Sequence, residues 1–150
     1  MKAVVQRVSS AKVKVNGGIV SSIKSGLLVL LAVEKRDDEQ DINWMAKKLS
    51  NLRVFEDEQG KMNLSLADVG AEMMVISNFT VAGDASKGNR PGFDNAAEFE
   101  KGKALFNKIL FSLSQLGIEP KTGEFGSEMQ IELVNAGPVT IILDSPSKTT

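Results

Sequence analysis

A chain of 150 residues, 42% of them hydrophobic and 25% charged, has the length and apolar content of one globular domain able to bury a core. It contains no His, Cys or Tyr, which excludes Ser-His-Asp and Cys-His catalysis, disulfides and the usual zinc sites. The net charge of −1 argues against a general nucleic-acid coating protein, but residues 1–33 hold five cations and no acid, so a local basic surface and a solvated strand face both stay open.

The N-terminus, MKAVVQRVSS, has no apolar core of a signal peptide, and the expectation is a cytoplasmic protein. From Ala3 to Val15 the odd positions read Ala, Val, Arg, Ser, Ala, Val, Val, with Ser10, Lys12, Lys14 and Asn16 between them, which predicts a long strand with one buried face. Arg7 shares the core-facing parity. Either it is a buried guanidinium that needs carbonyl or carboxylate acceptors, or a bulge turns it to solvent. Asn16-Gly17-Gly18 supplies a hairpin turn and Ile19 to Ile23 the return strand. Gly26 to Val33, GLLVLLAV, is apolar on both faces, as a central strand is. It is far short of the roughly 20 residues that a helix needs to cross a bilayer.

Asp37 or Asp38 caps a helix with Ile42, Met45, Leu49 and Leu52 on one face. Arg53 to Glu56 and Lys61-Met62 read as strand ends around a turn at Asp57-Glu58-Gln59-Gly60. Glu72 to Ser77 is a strand that runs directly into Asn78-Phe79-Thr80. Such a polar cluster at a strand end offers backbone N–H groups for an oxyanion hole, or is simply a turn held by its own side chains. Thr80 carries a hydroxyl, but no His stands by to activate it. A loop follows from Ala82 to Asn95, in which Lys87-Gly88-Asn89-Arg90-Pro91-Gly92-Phe93 sets two cations for phosphate contact or for solubility. A second helix spans about Ala97 to Leu116, burying Phe106, Ile109, Leu110 and Leu113, with Gly117 as its stop. Two closing strands, Gly126 to Val134 and Val139 to Leu143, flank Asn135-Ala136-Gly137-Pro138. A tight turn is the simplest account of that segment, since only about 5–6% of X–Pro bonds are cis. Met45, Met73, Met74 and Met129 read as core filler, and the tail from Pro146 to Thr150 as frayed. The element order β-β-β-α-β-β-α-β-β predicts a single α+β domain over residues 1–150, with two main helices against a curved sheet.

Taken in order, the blocks AVVQRVSSAKVKV from Ala3, GLLVLLAV from Gly26, RVFEDEQGKMNLSL from Arg53, SNFT from Ser77, KGNRPGF from Lys87 and TGEFGSEMQIELVNAGPVTIILDS from Thr122 resemble the D-aminoacyl-tRNA deacylase family, also called D-tyrosyl-tRNA deacylases. They cover nearly the whole chain. The resemblance implies a barrel-like, mostly antiparallel sheet and a cytoplasmic hydrolase of translation quality control. Its substrate would be D-aminoacyl-tRNA, recognised at the acceptor end, with glycine mischarged on tRNA as a second substrate; no cofactor or metal is implied. It further implies a homodimer with active sites at the subunit interface. Ser77, Asn78, Phe79 and Thr80 would form the catalytic wall, and the N–H groups of Phe79 and Thr80 would hold the oxyanion. Phe125 and Met129 would bind substrate. Asn135, Gly137 and Pro138 would enter from the partner subunit, the Gly137-Pro138 bond cis and braced by Arg7. In that arrangement two carbonyl oxygens hold the substrate's α-ammonium group and an L side chain collides with them, so chirality is selected by rejection. The neighbouring 2′-hydroxyl of the tRNA would assist water, with Thr80 as the alternative nucleophile. Two departures stand out: Asn78 occupies a position where the family usually has Gln, and Gly92 one where Ser is common. A catalytically silent RNA-end binding module on the same fold, and an esterase that uses Thr80, are the competing readings.

Overall fold

Strand β1 (Lys2–Val15) organises the sheet, because three other strands pair with it antiparallel. In the computed structural model, which describes residues 1–146, one edge of β1 pairs along its length with β8 (Gln130–Asp144). Its other edge is shared by β3 (Gly26–Ala32), opposite Lys2 to Val8, and β2 (Gly18–Ile23), opposite Ala11 to Val15. The β1–β2 turn places Asn16 (φ 51°) and Gly17 (φ 79°) in the left-handed region, as a two-residue hairpin turn requires. Beyond β3 the pairing turns parallel, to β6 (Glu72–Ser77) and then β7 (Lys121–Thr122), so the sheet is mostly antiparallel, as expected, with a parallel far side. The Ser21 hydroxyl of β2 donates to the Thr122 carbonyl of β7 at 2.7 Å, which brings the ends of the strand order together in a nearly closed, curved sheet. A parallel pair needs a crossover connection. Here it is built from α1 (Glu39–Asn51), the β4–β5 hairpin (Phe55–Glu56, Met62–Leu64) and α2 (Leu66–Val69). At its return, Gly26 lies so close to β6 that a Cβ there would sit 1.8 Å from the Glu72 carbonyl oxygen.

Asp38 caps α1 by accepting from Gln40 N–H at 2.9 Å, and the Asp41 carboxylate returns to Asp38 N–H at 2.8 Å. Helix α3 (Phe99–Gln115) stops at Gly117, whose φ is 87°. The single-turn helix α2 was not among the expected elements, although Ser65 and Asp68 form a capping box around it. Among the described residues no helix is long and apolar enough to cross a membrane. Of the tail expected to fray, residues 147–150 lie outside the described part. Ser145, just before it, is buried: its hydroxyl accepts from the Met1 α-ammonium group at 2.8 Å and donates to Asp41 at 2.7 Å. Asp37 accepts from the same ammonium group, and burial is the main cause that raises its carboxyl above the ordinary range.

The core is in two parts. Ala3, Val5, Leu27, Val29 and Leu31 pack under Ile42, Met45 and Leu49 of α1 and Phe106, Ile109 and Leu113 of α3. Val8, Ala11, Val13, Leu28, Met74 and Ile76 form the second cluster. The alternation of β1 accounts for the division. Val8 pairs with Asn135 and Ser10 with Val134, so Ser9 is an extra residue that reverses the alternation. Ala3 and Val5 therefore join one cluster, and Ala11 and Val13, of the same odd parity, join the other. The one buried face expected from sequence is two. A fully buried Val, Leu or Met contributes about 1.5–3 kcal/mol, so both clusters are substantial.

A second irregularity corrects the expectation of two closing strands about a turn. Gln6 pairs with Thr140 and Val8 with Asn135, so the four residues Ala136 to Val139 stand opposite the single residue Arg7. Both arms run along the same edge of β1 in the same direction. The chain does not reverse, and Asn135-Ala136-Gly137-Pro138 begins a wide bulge within one 15-residue strand.

Candidate active site

Strand β6 ends at Ser77, where the Asn78 N–H donates to the Leu31 carbonyl of β3 at 2.8 Å. The chain then enters a 3₁₀ turn, Phe79–Ala82, capped by Asn78. The Asn78 Oδ1 accepts from the Thr80 N–H at 3.2 Å and from the Thr80 hydroxyl at 2.5 Å. Both donors of Thr80 therefore point at a neutral amide oxygen, which cannot act as a base. The Phe79 N–H is the first of the turn, one of the groups that a helix start leaves without an internal acceptor.

Beside this turn lies a cleft of about 480 Å³ between the β6 end, the first turns of α3 and residues 125–131. Ser77, Asn78, Phe79, Phe99, Phe125 and Met129 are among its walls. The Phe99 and Phe125 rings meet edge to face at 5.3 Å, and Phe106 supports Phe125 from behind at 5.7 Å. Gly126 permits this packing: its φ is 80°, and a Cβ there would lie 2.7 Å from the Phe99 ring. Phe79, which is 58% exposed, meets Phe93 edge to face at 5.2 Å, so the loop that carries Lys87 and Arg90 is fastened at the rim. That loop is pinned by Asp84 and Gly92, which exchange two backbone hydrogen bonds at 2.8 Å. A Cβ at Gly92 would find its nearest neighbour 3.9 Å away, so Gly and Ser are sterically equivalent there. Among the described residues, Glu98 is the only ionisable one in the lining. Glu98, Phe99 and Ser127 were not singled out from sequence; the phenylalanines' shared fate was hidden because they come from distant segments.

The remaining expected residues assemble elsewhere. Arg7 is a largely buried guanidinium, its side chain 14% exposed: its Nε donates to the Ala136 carbonyl at 3.1 Å, its Nη1 to the Val54 carbonyl at 2.8 Å, and Glu56 lies 3.9 Å from Nη2. Asn135 ties the base of the bulge, accepting from the Val139 N–H at 3.1 Å and donating to the Thr140 hydroxyl at 3.0 Å. Between these supports the Gly137-Pro138 peptide is cis, and both residues are exposed. A Cβ on Gly137 would meet Val139 at 2.8 Å and an Arg7 nitrogen at 3.0 Å, so only glycine fits. None of Arg7, Asn135, Gly137 and Pro138 lines the cleft of its own chain. The structure thus sorts the expected residues into a cleft group, with Thr80 on the same turn, and a separate bulge group. No group of three or more carboxylates that could hold a metal ion occurs among the described residues.

Residues 4–144 match the family model described as D-Tyr-tRNA(Tyr) deacylase. A protein of Geobacter metallireducens named D-aminoacyl-tRNA deacylase is 50% identical over 99% of this chain and 99% of its own length. Its namesake in Thermotoga petrophila is 52% identical over 97% of each chain. Among solved structures, one titled c-Myc DNA Unwinding Element Binding Protein superposes with a TM-score of 0.94 at 41% identity, covering 98% of this chain and 100% of that one. Another, titled as a probable eukaryotic D-amino acid tRNA deacylase, has a TM-score of 0.79 at 15% identity over 95% of this chain and 97% of its own, which is a likeness of fold.

Proposed function

The chain belongs to the D-Tyr-tRNA(Tyr) deacylase family and is a hydrolase of D-aminoacyl-tRNA, and from that premise we propose that it works as a homodimer in which each bulge completes the partner's cleft. One observation carries this reading: the Gly137-Pro138 bulge is exposed, held by Arg7 and Asn135, and absent from the lining of its own cleft. A braced, projecting loop and an unfinished pocket on one molecule suit exchange between two copies.

In the assembled site the carbonyl oxygens of Gly137 and Pro138 accept hydrogen bonds from the substrate's α-ammonium group and so fix its Cα. An L side chain is directed into those oxygens, whereas a D side chain, or glycine's hydrogen, points away. The ester carbonyl lies against the 79–80 turn, where the Phe79 N–H stabilises the developing oxyanion and the Thr80 N–H joins it once released from Asn78; one such donor is worth about 3 kcal/mol in comparable enzymes. Water attacks the ester carbon, the bond to the ribose oxygen breaks, and that oxygen takes up a proton. The neighbouring 2′-hydroxyl of the tRNA relays the proton, since the Thr80 hydroxyl beside the cleft faces an amide. Glycine mischarged on tRNA is cleared by the same geometry. One domain over residues 1–150 carries all this, without a cofactor, in the cytoplasm.

The test is deacylation of tRNA charged with matched D- and L-amino acids. Release of the D-amino acid alone is expected; equal release of both enantiomers removes the chiral pocket. Binding without turnover selects a silent RNA-end binding module, a reading favoured by the Asn78 cap that occupies Thr80. Thr80→Ala should retain turnover; loss of turnover in that variant, together with loss of an acyl-enzyme that can be trapped on the wild type, would restore Thr80 as nucleophile.

A further inference from the structure

A second concavity, of about 430 Å³, is lined by Trp44, Lys47, Lys48, Asn51, Leu52 and Arg53 and shares no residue with the reaction cleft. Residues 44, 47, 48 and 51 fall at helical spacings on one face of α1, turned from the buried Ile42, Met45, Ala46 and Leu49. Its ionisable residues are all cations, in a chain of net charge −1. The acids of α1, Glu39 and Asp41, lie in its first turn. A lysine in the last turn complements the helix dipole, which accounts for Lys48 alone. It does not account for Arg53 beyond the helix, nor for an accessible indole beside the cations. Lys48 Nζ sits 5.4 Å from the centre of the Trp44 ring, which holds the ammonium group over one wall of the groove. Arg53 is positioned by donating its Nε to the Asn63 carbonyl at 2.8 Å.

The groove is joined to the bulge through two hydrogen bonds. Arg53 is followed by Val54, whose carbonyl accepts from Arg7, and Arg7 in turn holds the Ala136 carbonyl. We propose that this groove binds the phosphodiester backbone of the tRNA whose acceptor end is read beside the bulge, at a contact outside the reaction cleft. This rests on the deacylase reading for the identity of the RNA. Phosphate oxygens accept from the ammonium groups of Lys47 and Lys48 and from the guanidinium of Arg53, while the indole offers an apolar wall to a ribose. An acidic polypeptide is the other polyanion such a surface would suit, but it has less use for an aromatic wall.

Trp44 is the only tryptophan in the chain, so its emission reports on the groove directly. Titration with uncharged tRNA should change that emission saturably and more weakly as salt rises. In the double variant Lys47→Ala, Lys48→Ala the affinity should fall about tenfold and the salt dependence should drop by about two in slope, one per lost phosphate contact. KM for D-aminoacyl-tRNA should rise by the same factor with kcat unchanged, and D-aminoacyl-adenosine, too short to reach the groove, should be hydrolysed equally by both proteins. Lys47→Gln with Lys48→Gln serves as a second variant if the first is unstable on heating. An unchanged KM for the full tRNA, or polyglutamate that alters Trp44 emission as effectively as tRNA, overturns the proposal. Failure of both proteins to cleave D-aminoacyl-adenosine instead counts against the deacylase reading, and the titration still decides the groove.

Discussion

Arg7 donates to two backbone carbonyls on different segments, and no other side chain can replace that pair of bonds. Lysine carries a compact charge in place of a planar fork. Arg7→Lys should therefore lower stability by about 1–3 kcal/mol, the cost of leaving a buried acceptor unpaired, and read out as a lower Tm. Loosening of the bulge should also narrow the preference for D over L substrate; an unchanged enantiomer ratio in a destabilised variant would separate Arg7 from selectivity. The parity of Arg7 in the sequence left an inward guanidinium and a bulge that turns it to solvent both open, and it gave no sign of which carbonyls receive it, because Val54 and Ala136 are 47 and 129 residues away. Asn78 is the other informative position. Its short side chain closes back on Thr80, as Asx residues do at turn starts. Gln, one methylene longer, fits that local ring poorly. Asn78→Gln should release the Thr80 N–H for substrate and raise the single-turnover rate, by up to about a hundredfold where the full worth of an oxyanion donor is recovered. A slower variant would show that the cap holds the turn in its working shape.

At the scale of elements, the β1–β8 pair does most of the positioning. Glu132 of β8 bridges Lys12 at 3.0 Å and Lys14 at 2.7 Å on β1, and these two lysines, Lys14 foremost, hold its carboxyl below the usual range. With a depressed value in the folded state, the unfolded chain binds more protons between the two values. The stabilisation is thus present above the ordinary Glu range and is lost as pH falls through the folded value. Unfolding followed by denaturant at neutral and acid pH should show the wild type losing more stability on acidification than Glu132→Gln; parallel losses would mean the lysine bridges contribute nothing. The two long helices and the inner strands were legible because their signals are local: Asp37 or Asp38 before an amphipathic run, a doubly apolar GLLVLLAV. The continuity of β8 was not. Gly137-Pro138 carries the local marks of a reversal, and what overrides them is pairing of both arms with β1, a relation between residues more than a hundred positions apart.

Across the whole molecule, the outer edge of β8 has no partner strand among the described residues, and Ile142 and Val134 on that strand are 75% and 56% exposed. Long open edges with apolar side chains are usually covered, which is consistent with the proposed exchange between two protomers. Ile142→Lys should convert the protein to monomers in sedimentation velocity and abolish turnover while leaving the circular dichroism spectrum intact. A monomeric variant with full activity would show that one chain suffices. The division of residues between cleft and bulge could be named from sequence only through family resemblance, since no local pattern says that two groups of one chain are to meet in a pair of chains.

The extra residue at Ser9 works like a half-twist in a ribbon, presenting one end of β1 to the helices and the other to the layer beneath Met129 and Ile131. Natural variation can then adjust the two ends separately. Exchanges at Ala3 or Val5 would reset how firmly the helices are seated, and exchanges at Ala11 or Val13 would reshape the support under Met129 and Ile131. Removing Ser9 itself would force one half of the ribbon to expose its oily side.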